Sequence, residues 1–240
     1  MIHWLIQSVD AYPDLRQGLP PAGLLSAEEQ GRYAGFKSDK RRRDWLLGRW
    51  TAKKLVQSLT WESSGSMVPL DQFIVRNDAD GVPTVNCQSP IVDCQLNISI
   101  SHSSGYALCA VVADGVIGAD IERIEKRADG FAEDYFTEGE LERIACSVLP
   151  IPLHGRQYAM RDTLTTAIWS AKEAVLKALH LGLSVDTRSV SCLVGPTANP
   201  PRQWMPFAIE LDEQRLNRPA PALAGWWRTH EEHVLTLVRG

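Results

Sequence analysis

The 240-residue chain is 44% apolar and 22% charged, with a net charge of −4, the balance of an ordinary folded protein with room for one large domain or two of about 120 residues. The acidic balance excludes wholesale coating of nucleic acid or of an anionic membrane. No stretch approaches the roughly 20 apolar residues of a membrane-spanning helix, and MIHWLIQSVDAYPDL lacks the basic and long apolar regions of a secretory leader.

In chain order, HWLIQSV (3–9) reads as a first strand, followed by a Pro/Gly-bearing loop over 12–22. LSAEEQGRYAGF (25–36) carries Ser26 and Glu29 at capping-box spacing, a helix start. A second helix is predicted over 38–59, with Leu46, Leu47, Trp50, Leu55 and Leu59 as its apolar stripe. Eight Lys/Arg lie between Lys37 and Lys54, including the run Lys40, Arg41, Arg42, Arg43. On an acidic protein, such a patch points to a local anion site. QFIVRNDADGVPTV (72–85) reads as two strands around an Asp-Gly turn, and LNISISHS (96–103) alternates as a strand.

YALCAVV (106–112) and VIGADIE (116–122) are predicted to form a hairpin across Asp114-Gly115. An acidic helix follows around 137–149, then a Pro-containing loop. A long helix is expected over 166–182, with Gly182 as its C-cap. After Pro-rich loops (195–201, 218–221) comes a final hairpin, 225–238. It echoes SHSSGYALCAVV as Ser/Thr-His, a polar turn and an apolar strand, a hint of two similar halves. Cys87, Cys94, Cys109, Cys146 and Cys192 show no CxxC spacing, which points to reduced thiols in a cytoplasmic protein.

GADIE (118–122) places two carboxylates on a strand next to the core. Residues i and i+2 share a face and their Cα atoms lie ~6.6 Å apart, so Asp120 and Glu122 can reach one cation. Ala119 and Ile121 would then face the core, and the small Gly118 would leave room for a ligand. In WSAKEAVLKAL, Trp169, Glu173 and Lys177 share one helix face. An exposed Glu–Lys pair is the simpler reading of that spacing, but the Trp on the same stripe calls for partial burial. Three carboxylates and a lysine would suit Mg²⁺ on a phosphorylated ligand.

ISISHSS (98–104), IGADIE (117–122), YFTEGE (135–140) and WSAKEAVLKALHLGL (169–183) resemble, in order and spacing, the Sfp-type 4′-phosphopantetheinyl transferases, and LLGRWTAKKLV (46–56) fits the family's N-terminal helix. The resemblance covers roughly residues 25–190. It implies an α/β (α+β) pseudo-dimer of two similar halves, each a small, mainly antiparallel sheet on a long helix. Residues 1–115 would carry coenzyme A phosphate contacts and 116–240 the metal and catalytic residues, with the active site at their interface. The family moves the phosphopantetheine arm of coenzyme A to a serine of an apo acyl or peptidyl carrier protein and releases adenosine 3′,5′-bisphosphate. Carriers of fatty acid, polyketide and nonribosomal peptide synthesis are all open.

Carried over by motif, Asp120, Glu122 and Glu173 would ligate Mg²⁺, with Mn²⁺ as a substitute. Glu173 would also serve as base for the carrier serine, and Lys177 would stabilise the leaving bisphosphate. Ser101 and His102 would contact coenzyme A phosphates. Arg32, Arg76, Lys37, Lys40, Arg42 and Arg43 are candidates for the 3′-phosphate, where guanidinium forks suit phosphate oxygens. Glu140 matches a further acidic position near the substrate serine. The implied partners are coenzyme A and the carrier protein, with neither nucleic acid nor membrane, for a cytoplasmic monomer. Two positions depart from the family pattern: Val82 replaces a lysine in Gly81-Val82-Pro83, and His180 replaces a glycine after Lys177-Ala178-Leu179. A non-catalytic module that binds coenzyme A or a carrier is the alternative. A metal-dependent phosphohydrolase is a third reading, against which the chain lacks a second His/Asp cluster.

Overall fold

The computed structural model describes residues 1–240 except 79–80, 89–95, 147–155, 183, 196–200 and 220, with side chains omitted at 156–159. Cys94, the Pro-containing loop after the acidic helix and most of the Pro-rich loop 195–201 therefore lie outside the described residues. The chain falls into two compact units, Met1–Ile117 and Gly118–Gly240.

The first unit holds strands β1 (His3–Ser8), β2 (Phe73–Asn77), β3 (Pro83–Cys87), β4 (Leu96–Ser103) and β5 (Tyr106–Val112), and helices α1 (Pro13–Arg16), α2 (Ala27–Ala34) and α3 (Asp39–Ser64). Its sheet runs β1-β5-β4-β3-β2. The capping box at α2 is present in both directions: Ser26 Oγ accepts from the Glu29 N–H, and Glu29 accepts from the Ser26 N–H. Helix α3 starts at the Ser38 cap and runs five residues past its expected end, to a left-handed Gly65 at φ +67°. Its leucine stripe is divided between two clusters. Leu46 and Leu47 pack with Leu15, Leu24 and Ala107; Leu55 and Val56 pack on Phe73, Val75, Ile98, Cys109 and Val111 of the sheet.

The second unit holds β6 (Ile117–Arg123), β7 (Val190–Leu193), β8 (Met205–Leu211), β9 (Ala224–His230) and β10 (His233–Arg239), with α4 (Phe131–Tyr135), α5 (Glu138–Cys146), α6 (Arg156–Ala178) and α7 (Glu213–Leu216). Its sheet runs β6-β10-β9-β8-β7. Both sheets therefore place their strands in the same spatial order: first, fifth, fourth, third, second. The expected fold class, α/β (α+β) with two similar halves, is the one observed. The Ser/Thr-His echo falls on equivalent strands, β4–β5 and β9–β10, with His102 opposite Ala107 and His230 opposite His233. The long helices carry a matching segment as well, Trp50-Thr51-Ala52-Lys53 in α3 and Trp169-Ser170-Ala171-Lys172 in α6.

Two expectations are corrected. β5 and β6 do not form a hairpin: β5 lies between β1 and β4, and β6 is an edge strand beside β10. The chain does bend at Asp114-Gly115, with Gly115 at φ +82°. However, β1 already takes the outer side of β5, so β6 opens a second sheet instead. Helix α6 also ends at Ala178, before Gly182. The His180 N–H donates to the Lys177 carbonyl at 3.1 Å and the Leu181 N–H to the Leu176 carbonyl at 3.0 Å, a Schellman closure with His180 in the left-handed position at φ +57°. Such a conformation costs a side chain about 1–2 kcal/mol that glycine escapes. His180→Gly is accordingly expected to raise stability by about 1 kcal/mol in urea unfolding; unchanged or lower stability would contradict the strain.

Candidate active site

The site in the second unit begins at a close approach of strand and helix. A Cβ added to Gly118 would stand 1.8 Å from the Ala174 carbonyl oxygen and 2.9 Å from the Ala178 nitrogen. The missing side chain thus makes room for α6, and the expectation that it leaves room for a ligand is corrected. Ala167, Ala171, Ala174 and Ala178 are all buried along α6, a low-profile face that permits this approach.

With the helix so close, its polar stripe meets the carboxylates of β6. Ala119 and Ile121 are buried as expected, but Asp120 is buried as well, 3% exposed. Lys177 reaches across from α6 and donates from Nζ to Asp120 Oδ1 at 2.6 Å and to the Ala119 carbonyl at 3.3 Å. The simpler reading of Lys177 as half of an exposed helix pair therefore misses its main contact. Glu122 is half-buried and accepts from Arg127 Nη2 at 2.8 Å. Trp169 is half-buried, one turn before Glu173, and its ring stacks edge-on against Phe131 and Tyr135.

Burial and neighbouring charge act together on two of these acids. Burial raises the Glu173 carboxyl above its ordinary range; Lys177 opposes this, and the charges of Asp120 and Glu122 add to it. Burial raises Glu122 too, reinforced by Asp120 and opposed by Arg127 and Lys177. Among the described residues, no group of three His, Cys, Asp or Glu side chains is arranged to hold a metal ion. The donor set nevertheless fits a hard divalent cation, with three carboxylates and a mutual repulsion that such an ion relieves.

Carboxyls with raised values bind more protons in the folded than in the unfolded state, so their contribution to stability falls as pH rises through that interval. Glu173→Gln is expected to raise Tm at neutral pH. The gain should shrink as the pH drops below the usual carboxylate range, where the native acid is protonated too. A Tm lowered equally at both pH values would contradict the crowding.

Glu140 is fully buried and paired with the fully buried Lys172 at 2.8 Å. Its Oε2 also accepts from the Thr137 N–H and its Oε1 from the Cys192 N–H, each at 2.7 Å. Lys172 donates further to the carbonyls of Thr187, at 3.0 Å, and Val190. This clamp ties the start of α5 and strand β7 to α6, one residue before Glu173.

The first unit contains the same device. Lys53 donates to Glu29 and to the Leu24 carbonyl, and Glu29 accepts from the N–H groups of Ser26 and Val75. Burial lowers Lys53, and it pulls the neighbouring Arg49 down to about 10. Sequence reading missed both lysines, although Trp-Thr/Ser-Ala-Lys recurring on two long helices was the available signal.

The expected phosphate contacts of the first unit are less gathered. Arg76 is committed to Glu28, with Nη2–Oε2 at 2.5 Å on an exposed edge. Lys40 pairs with Asp44 at 3.1 Å, and Arg42 with Asp39 at 3.2 Å. Arg42 also donates to the Phe36 carbonyl and covers the Tyr33 ring. Arg32, Lys37, Arg43 and His102 are exposed; Ser101 is buried on β4.

Comparison with known proteins bears on this geometry. The family model described as the 4'-phosphopantetheinyl transferase superfamily matches residues 116–237, which include Asp120, Glu122, Glu140 and Glu173. The 4'-phosphopantetheinyl transferase gsp of Aneurinibacillus migulanus is 26% identical over 69% of this chain and 60% of that protein. The L-aminoadipate-semialdehyde dehydrogenase-phosphopantetheinyl transferase of Xenopus laevis is 21% identical over 81% of this chain and 62% of that protein. The matches therefore span less than two thirds of the length of either relative. A holo-[acyl-carrier-protein] synthase of Geobacillus sp. (strain WCH70) is 32% identical over 38% of this chain and 74% of that protein. The chain belongs to the 4'-phosphopantetheinyl transferase superfamily.

Proposed function

We propose that the protein is a Mg²⁺-dependent phosphopantetheinyl transferase that moves the arm of coenzyme A to a serine of an apo carrier protein. The observation that supports this reading is the 2.6 Å contact of Lys177 on α6 with Asp120 on β6, which brings the helix bearing Glu173 to the strand bearing Asp120 and Glu122. A divalent ion held by these carboxylates would neutralise charge on the diphosphate as its bond to the leaving group breaks.

The chain's own groups divide the remaining work. Lys177 holds Asp120 in place through their 2.6 Å contact, and its ammonium would turn to the departing bisphosphate. Glu173, whose carboxyl is raised by burial, is thereby a stronger base for the proton of the serine hydroxyl. In a loose phosphoryl transition state, positioning and charge stabilisation dominate over early proton removal. In the first unit, Arg32, Lys40, Arg42, Arg76, Ser101 and His102 belong to the same reading as coenzyme A contacts. Exposed ion pairs such as Arg76–Glu28 are weakened by solvent screening, so a phosphate can displace the carboxylate at little cost.

The test is incubation with coenzyme A, Mg²⁺ and a range of apo carrier proteins, followed by intact-protein mass spectrometry. A phosphopantetheine-sized gain on a carrier serine, lost on chelation, is expected. Binding of coenzyme A without modification of any carrier would favour a non-catalytic module.

A further inference from the structure

Glu122 is tethered through a side chain that the reading above does not use. Arg127 lies beyond the end of β6, in the stretch leading to α4. Its Nη2 donates to Glu122 Oε2 at 2.8 Å, and its guanidinium carbon stands 5.4 Å from the centre of the Phe131 ring. Both partners are largely withdrawn from solvent, at 19% exposure for Arg127 and 26% for Glu122. Phe131 is itself fixed, packed against Tyr135, Phe136 and Trp169 at centroid distances of 5.0, 5.9 and 5.1 Å. Trp169 belongs to α6, one turn from Glu173. A continuous row of contacts thus runs from the helix bearing Glu173, through the aromatic cluster and the guanidinium, to the carboxylate of Glu122.

We infer that Arg127 is a positioning residue for the metal site: it holds Oε2 of Glu122 and so presents Oε1 as a single-oxygen ligand. The inference rests on the metal reading proposed above. A carboxylate that binds a metal is commonly oriented by a second hydrogen-bonded group, and loss of that group costs about ten- to a hundredfold in metal affinity or activity. Charge alone works in the opposite direction, because a cation beside the site repels the metal. A replacement that keeps the charge therefore isolates orientation. Lysine does so: it retains the positive charge but loses the planar fork and the stacking on Phe131.

The experiment titrates the intact protein with Mn²⁺ alone, followed by electron paramagnetic resonance, for the wild type, Arg127→Lys and Phe131→Leu, with a thermal melt of each. Arg127→Lys is expected to bind Mn²⁺ about tenfold more weakly, and Phe131→Leu more weakly by several-fold, since it removes the ring that fixes the guanidinium. Wild-type affinity in either variant overturns the proposal, including when its Tm is lowered, because a purely structural arginine would move Tm alone. Failure of the wild type itself to bind Mn²⁺ would instead overturn the metal reading and take this inference with it.

Discussion

Asp120→Ala and Glu173→Ala are each expected to lower phosphopantetheine transfer by at least about 10²–10³-fold, the scale seen when one preorganised charge-stabilising group is removed from a site. The two variants should differ in stability. Asp120→Ala leaves the Lys177 ammonium beside the Ala119 carbonyl without its carboxylate, and is expected to lower Tm modestly. Removal of Glu173 relieves a half-buried carboxylate that burial and the charges of Asp120 and Glu122 disfavour. Loss of activity accompanied by unchanged or increased Tm would mark Glu173 as a group kept for chemistry at the expense of stability. Transfer rates are read by carrier mass shift and folding by circular dichroism. Near-normal turnover in either variant would defeat the assignment.

Lys172→Met is expected to have the largest effect on folding. Lys172 and Glu140 are both wholly buried, and removing one member of such a pair strands the other charge at a cost of about 3–5 kcal/mol. Glu140→Gln should also destabilise. The double variant Lys172→Met/Glu140→Gln should cost less than the sum of the singles by about 1 kcal/mol or more, because neither charge is left alone. Urea unfolding of the four proteins gives the cycle. Strictly additive losses would mean that the two side chains contribute separately, and the clamp would lose its role in setting α6. The Lys53–Glu29 pair, with Ser26 and Val75 as backbone donors and the Leu24 carbonyl as acceptor, should show coupling of the same sign but smaller, because Arg49 stands 3.6 Å from Glu29 as a second cation.

Much of the fold was legible because local chemistry and tertiary structure agree. Alternation over 96–103 and the apolar run over 106–112 coincide with β4 and β5, and Ser26 and Glu29 make the capping box that their spacing announces. The stripe Trp169, Glu173, Lys177 was legible from helical periodicity. The failures have physical reasons. Asp114-Gly115 is sound turn chemistry, yet a turn does not fix which sheet the next strand joins, and β1 had already claimed that edge of β5. Gly118 was read as ligand space, because a sequence does not show that a helix backbone fills the gap.

Lysine on a helix has the sequence signature of a solvated residue, so nothing local marks Lys53 and Lys172 as buried among carbonyls and carboxylates. His180 illustrates the converse. Its departure from glycine was visible in the sequence, but its meaning, a strained left-handed helix end, needed the backbone.

The central claim is that Asp120, Glu122 and Glu173 hold a single divalent ion. Anomalous scattering from crystals grown with Mn²⁺ and coenzyme A tests it most directly. The account requires one peak in the second unit within coordination distance of all three carboxylates, with the diphosphate on its open side. A peak elsewhere, or a diphosphate bound with no ion between it and these acids, would contradict it.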